Sequence, residues 1–276
     1  MLNFKNDQAA GLRRIMAGTK PRIISVLSAH TTETKARLLS NLAASISNHG
    51  SNVIVVHASA ESSEASRYYD VNHLPSLMEV AEKTATLEQS MKPSDLGFYV
   101  AKLLPKYSAQ PLLDPLSQPL NQLIQEDLSQ QFDIILVDAN LNQEHQLPLK
   151  TMNQGDILIR VTRNPESIKH AYLIMKQICA QLGRRSFGIV VDGANDAQAA
   201  LVFRNIAQVA KRFMLIDVEF FGAIPMDEHL SRAAKLGRAV IEAFPFALAS
   251  VAFKALAQRL DYQKKYPSRA ETASFI

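Results

Sequence analysis

The sequence of 276 residues predicts an α/β fold, a doubly wound, mostly parallel sheet of about seven or eight strands with helices on both faces. Three observations predict it. Short runs of aliphatic and β-branched residues recur without polar alternation, as strands buried on both faces require. Each run leads into a stretch with apolar residues at helical spacing, or into a loop of crossover length. No linker of changed composition and no internal repeat interrupts the pattern. Residues 21–264 therefore read as one domain, with 1–20 a separate N-terminal segment and 265–276 a polar tail.

The first strand is PRIISVLS, 21–28, where Ile23, Ile24, Val26 and Leu27 form an apolar block. A helix over 33–49 follows, with Leu38, Leu39, Leu42, Ala43 and Ile46 at helical spacing and Gly50 placed to end it. NVIVV, 52–56, closes a βαβ unit. Residues 58–72 are polar and serine-rich, which suits a loop running into a short helix around Leu77–Ala85. GFYVAKLL, 97–104, reads as a strand, and prolines 105, 111, 115 and 119 punctuate the connection to a helix over Leu116–Leu128. FDIILVD (132–138) and DILIRVT (156–162) are further strands, and a helix over 165–182 opens on Pro165 and stops at Gly183. SFGIVVDG (186–193) and EFFGAIP (219–225) are strands flanking a helix over Gln198–Arg212. Helices over 228–236 and 246–264 complete the chain.

Composition excludes several classes. A hydrophobic fraction of 47% is too high for a wholly disordered chain. No apolar run approaches the roughly 18 residues of a membrane span, and MLNFKND is no secretion signal, so a cytoplasmic protein is expected. The single cysteine, Cys179, excludes a disulfide framework, a thiolate zinc cluster and an iron–sulfur site. The net charge of +4 is unevenly spread: residues 1–22 and 253–276 are basic, and the body between them is mildly acidic. Basic ends suit an acidic protein face, nucleic acid or anionic lipid, and equally serve solubility.

In a doubly wound sheet ligands sit beyond the carboxyl ends of the strands. The first crossover loop reads Ser28-Ala29-His30-Thr31-Thr32-Glu33-Thr34-Lys35-Ala36. Lys35 stands where a phosphate-binding loop would place its lysine, and it also reads as an exposed lysine on a first helical turn. Asp138, ending a strand, is a candidate for metal or water placement, or an acceptor of amide hydrogen bonds from the next loop. His30 and His57 lie near strand ends, but two histidines without a spaced third ligand do not make a zinc site, and no metal is expected.

The framework IISVLSAHTTETKARLLSNLAASISNHGSNVIVV resembles the start of a MinD/ParA-type deviant Walker ATPase, which implies a P-loop NTPase-like, MinD-like fold. Against that family's K-G-G-x-G-K-[ST] loop, the first lysine falls on His30 and the glycines on Thr31, Thr32 and Thr34. The phosphate-contacting lysine is Lys35, and the magnesium-binding hydroxyl falls on Ala36. Threonines are stiff where glycines let the backbone curl around phosphate, and alanine cannot ligate Mg²⁺. The aspartates that end the family's second strand are replaced by His57-Ala58-Ser59, Asp138 keeps its second acidic position, and the asparagine that reads the base falls on Asp192. The resemblance, so altered, implies a pseudo-ATPase with Lys35 and Asp138 as the remnant of a nucleotide site. No cofactor is expected, with ATP or ADP and Mg²⁺ as the alternative.

Residues Asp7-Gln8-Ala9-Ala10-Gly11-Leu12-Arg13-Arg14 resemble the D-Q-A-x-x-L-R motif of the FlhG (FleN) branch, MinD-like regulators of flagellar number. Asn164-Pro165-Glu166, Ala223-Ile224-Pro225-Met226-Asp227 and Glu242-Ala243-Phe244-Pro245 resemble further blocks of that branch. There the N-terminal motif stimulates FlhF, a signal-recognition-type GTPase, which makes Asp7, Gln8, Leu12, Arg13 and Arg14 the expected partner-binding residues. The same segment also reads as a terminal helix packed on its own domain. The implied function is a non-catalytic regulator of flagellar number, placement or biosynthesis, with an FlhF-like GTPase, a flagellar transcription regulator or a basal-body component as partner and polar recruitment through that partner. A weak ATPase switch and a DNA-partition adaptor are the alternatives. The C-terminal DYQKKYPSRAETASFI offers no long apolar face for autonomous membrane anchoring, and no aromatic-basic stripe signals DNA.

Overall fold

The computed structural model describes residues 21–29, 35–58, 71–105, 114–142 and 144–265. Asp7, Gln8, Leu12, Arg13 and Arg14, the loop 30–34, most of the serine-rich stretch and the polar tail lie outside the described residues.

The described chain opens with β1 (Arg22–Ser28), α1 (Lys35–Asn48) and β2 (Val53–His57). Short helices α2 (Leu77–Ala81) and α3 (Leu87–Ser90) precede β3 (Met91–Pro93) and β4 (Tyr99–Lys102). Helix α4 (Asp114–Gln122) carries Pro119 inside it and widens into a π-helical turn over Leu123–Leu128, followed by a last turn at Ser129–Gln131. β5 (Ile134–Asp138), a 3₁₀ turn (Lys150–Asn153) and β6 (Asp156–Val161) come next. Then follow α5 (Pro165–Leu182), β7 (Phe187–Asp192), α6 (Asp196–Met214) and β8 (Val218–Ile224), and α7 (Glu228–Lys235), α8 (Val240–Ala243) and α9 (Leu248–Lys265) end the chain.

These strands form one eight-stranded sheet in the order β3-β4-β2-β5-β1-β6-β7-β8. Every pairing is parallel except β3 with β4. Alternate residues of each central strand feed opposite layers, because side chains change face at every step. On β5, Ile135 and Val137 join the apolar layer built with α4, α5 and α6. Ile134 and Leu136 join the layer built with α1, α7, α8 and α9. This is the fold class expected from the unalternated apolar runs.

Pro165 and Gly183 bound α5 where the sequence places them, whereas α6 extends two residues beyond the expected 198–212 at each end. Asn164 caps α5 by accepting the Glu166 amide, Pro165 takes the first turn, and Gly183 ends the helix with φ +77°. Asn195 and Gln198 form a reciprocal capping box at α6. The antiparallel β3 was not expected: three residues, one of them proline, carry too little apolar pattern to read as a strand. Neither were α3 and α8, each four residues long. In α4, Pro119 has no amide to donate backwards, and the helix begins before and runs beyond the expected range.

At β8 the ladder is irregular. Ile189 of β7 pairs with Phe220 and Val190 with Gly222, so Phe221 is an extra, bulged residue. The bulge turns the buried Phe221 ring into the α1/α9 layer, while Arg259 of α9 donates to the Phe220 carbonyl. Among the described residues, no helix is long and apolar enough to cross a membrane.

Candidate functional site at the carboxyl ends of the strands

Asp138 ends β5, which lies between β1 and β2, so its side chain emerges at the crossover point of the sheet. In register it stands opposite His57, the last residue of β2. Lys35 is the first residue of α1, the helix that follows β1. Three elements thus bring Lys35, His57 and Asp138 together. Lys35 Nζ lies 2.6 Å from Asp138 Oδ1, and His57 Nδ1 donates to Asp138 Oδ2 at 2.8 Å. The lysine also donates to the Ala139 carbonyl and to Asn140 Oδ1, each at 2.9 Å.

All three side chains are buried. Lys35 is 2% exposed and Asp138 1%, so the reading of Lys35 as a surface lysine is wrong: its head is drawn inward by three oxygens, Asp138 Oδ1 at the end of β5 and the Ala139 carbonyl and Asn140 Oδ1 just beyond it. Burial alone would raise the Asp138 pKa, but the His57 hydrogen bond and the adjacent Lys35 charge hold it below the usual aspartate range. The carboxylate is therefore ionised, and a buried charge of this kind persists only when paired.

A second pair lies along the same edge. Arg160, on β6, is 3% exposed. Its Nε donates to Asp192 Oδ2 at 2.8 Å, a second guanidinium nitrogen sits 2.7 Å from the same oxygen, and a third bond runs to Ser28 Oγ at 3.0 Å. Ser28, Arg160 and Asp192 thus tie the ends of β1, β6 and β7 together. Asp192, expected at the base-reading position, is committed to this arginine. Sequence reasoning missed Arg160 as a site residue, although a lone arginine inside the apolar run DILIRVT is itself the signal: a buried cation needs a buried anion. It also missed His57 as the partner of Asp138, since register across β2 and β5 is invisible before the sheet is assembled.

A third carboxylate works structurally. Asp227 caps α7 by accepting from the His229 backbone and ring, and its other oxygen accepts the Ala249 amide. Burial opposes its ionisation, but these bonds lower its pKa. Both Asp138 and Asp227 have folded-state pKa values below their unfolded ones. Their stabilisation is complete above the unfolded aspartate pKa and disappears as pH falls through the folded values. The urea midpoint should therefore hold steady between about pH 7 and 5 and fall below about pH 4; a midpoint unchanged down to pH 3 contradicts the assignment.

Nucleotide with magnesium is the group this geometry must be tested against. Lys35 fits a phosphate, at the start of a helix and beside the strand ends. Asp138, the one carboxylate beside Lys35, has both oxygens engaged by Lys35 and His57, and Ala36, buried next to Lys35, supplies no ligand. No cluster of three or more acidic, histidine or cysteine residues suited to a metal is present among the described residues.

No family model matches the chain. Over 136 residues it is 32% identical to the antiactivator FleN of Pseudomonas aeruginosa. That match covers 49% of this chain and 49% of FleN, so the chain spans about half the length of that relative. The MinC:MinD cell division complex of Aquifex aeolicus superposes with a TM-score of 0.67 at 20% identity, over 87% of this chain and 96% of that one. A ParA family ATPase from Chlorobium tepidum gives 0.65 at 15% identity, over 87% and 99%. MinD of Pyrococcus horikoshii, determined with Mg-ADP, gives 0.64 at 18% identity, over 87% and 96%. This last structure overturns the expectation that no cofactor belongs here. That protein holds Mg-ADP, and the strand and helix ends of this chain carry a lysine and an aspartate, Lys35 and Asp138.

Proposed function

From the fold it shares with the MinD/ParA ATPases, we propose that this chain is a FleN-type regulator of flagellar number, placement or biosynthesis that acts through protein contacts rather than by turning over nucleotide. The observation that carries this is the commitment of the site to itself. Lys35 is neutralised by Asp138, Asp192 by Arg160, and position 36 has no hydroxyl. Phosphoryl transfer depends almost entirely on positioned cations and metal ligands acting together. A site whose cations are already paired lacks that preorganisation.

Protein contacts then carry the work, and the N-terminal Asp7, Gln8, Leu12, Arg13 and Arg14 supply a short amphipathic recognition element. Arg13 and Arg14 offer charge-assisted hydrogen bonds and Leu12 an apolar anchor. The partner is an FlhF-like GTPase, with a flagellar transcription regulator or basal-body component as further candidates. The second reading, a weak ATP-binding switch, draws on the retained Lys35 and Asp138.

Purified full-length chain should raise GTP turnover by an FlhF-type GTPase, and Arg13→Glu should return the rate to that of the GTPase alone. Its own phosphate release from ATP with Mg²⁺ should stay at background. An unchanged GTPase rate removes the proposed partner, and ATP turnover abolished by Lys35→Met establishes the second reading instead.

A further inference from the structure

Large apolar side chains crowd the surface where the loop between β8 and α7 meets the start of α9. Phe246 is 96% exposed, Met226 77%, Leu248 69% and Val251 58%. The two segments are tied together, because Asp227 Oδ2 accepts the Ala249 amide at 3.0 Å. Leu248, Val251 and Ala255 recur at helical spacing on the outer face of α9, while Ala249, Phe253 and Leu256 of the same helix enter the core. The turn that carries Phe246 is itself fixed. The Ala247 amide and the Ser250 hydroxyl donate to the Phe244 carbonyl at 3.0 and 2.7 Å. The Phe244 ring lies 4.7 Å from the His229 ring and 5.2 Å from the Arg232 guanidinium. A ring held out on an ordered backbone binds without the entropy cost of ordering that backbone. Apolar residues scattered singly need no partner, but a tied group of this kind marks an interaction surface.

Charge selects the occupant. Arg232 lies against Phe244, Lys254 donates to the Pro245 carbonyl at 3.4 Å, and Lys235 and Arg238 are exposed at the end of α7 and just past it. Of the nearby acids, Glu228 faces Arg232 at 3.7 Å, Asp227 is taken up by His229 and the Ala249 amide, and Glu242 is half-buried. The patch is therefore apolar with a basic border. A second copy of the chain would set the same bases against one another. The chain's own N-terminal segment carries Lys5, Arg13, Arg14 and Lys20 against the single acid Asp7. Both occupants are repelled, and an acidic one is attracted. Going beyond the contact made by that N-terminal segment, we propose that this face is a second docking surface, for an amphipathic helix of another protein whose aliphatic stripe is flanked by aspartate and glutamate. The stripe covers Phe246, Leu248 and Val251 along α9, and the flanking acids reach Arg232, Lys235 and Lys254.

A photoreactive side chain at the centre of the patch tests this. In the full chain, in its native cells, Phe246 is replaced by p-benzoylphenylalanine, a change that an almost fully exposed ring position tolerates. Irradiation should join the chain to a different protein, and mass spectrometry of the joined peptide should show aliphatic residues at helical spacing bordered by acids. Leu248→Asp with Val251→Asp should lower the adduct yield by about tenfold or more, and Arg232→Glu with Lys235→Glu by about threefold or more. Should the double aspartate variant melt at a lower temperature than the unaltered chain, Leu248→Ala carries the same comparison. An adduct between two copies of the chain, a joined peptide rich in lysine and arginine, or no protein adduct at all, as a lipid surface would give, overturns the proposal. So does a yield that charge reversal leaves unchanged. The GTPase assay with Arg13→Glu reads the N-terminal segment alone, so the two contacts fail separately.

Discussion

Lys35→Met should lower folding stability by about 3–5 kcal/mol, the scale for removing one partner of a buried pair. Asp138 would remain 1% exposed and ionised, with His57 as its one remaining partner of the original two. The Ala139 carbonyl and Asn140 amide oxygen would each lose a donor as well. Burying the methionine side chain offsets part of this but cannot neutralise the carboxylate. The diagnostic is the paired replacement. Lys35→Met with Asp138→Leu removes both charges and should recover most of the loss, because an apolar pair avoids the desolvation cost altogether. Urea unfolding of the two single variants and the double measures it. A single-variant loss under about 1 kcal/mol, the scale of a surface pair, would restore the reading of Lys35 as an exposed first-turn lysine.

Gly188→Ala is the second large effect, and here two terms oppose each other. Replacing glycine by alanine inside a strand ordinarily gains about 0.5–1 kcal/mol in backbone entropy. At Gly188 the added Cβ would stand 2.6 and 2.7 Å from two carbons of the Phe221 ring and 2.8 Å from Leu158 Cδ1. The ring cannot retreat easily, because it is the bulged residue of β8 and is packed into the layer with α9. Overpacking should win, with a net loss of about 1–3 kcal/mol. Chemical unfolding decides the sign: a gain in stability would show that β8 shifts freely on β7.

The sheet was legible because its central strands are uninterrupted apolar runs, and a strand buried on both faces leaves that trace. Helix α5 was legible to the residue, since Pro165 and Gly183 are local signals with local causes. The short edge strand at Met91–Pro93 was not, because it is defined by pairing rather than by pattern. The site shows the same division. Lys35 and Asp138 could be named from position alone, but their joining, and the entry of His57, depend on β5 lying between β1 and β2. Arg160 and Asp192 are 32 residues apart, and nothing in the chain's linear order says that they meet. The expectation of no cofactor rested on a loop sequence, while Lys35 and Asp138 stand at a helix start and a strand end outside that loop.

The bulge at Phe221 has a consequence for the molecule's behaviour in a crowded cell. β8 borders the sheet, and a bordering strand of seven residues offers unpaired backbone groups on which another chain could template. The bulge breaks the spacing that an added strand would have to match, and Arg259 already occupies the Phe220 carbonyl. At the opposite border, β3 is three residues long and ends in a proline. Both rims are thereby closed to strand-by-strand growth, which guards this sheet against self-association into fibres and leaves its helical and loop surfaces to choose its partners.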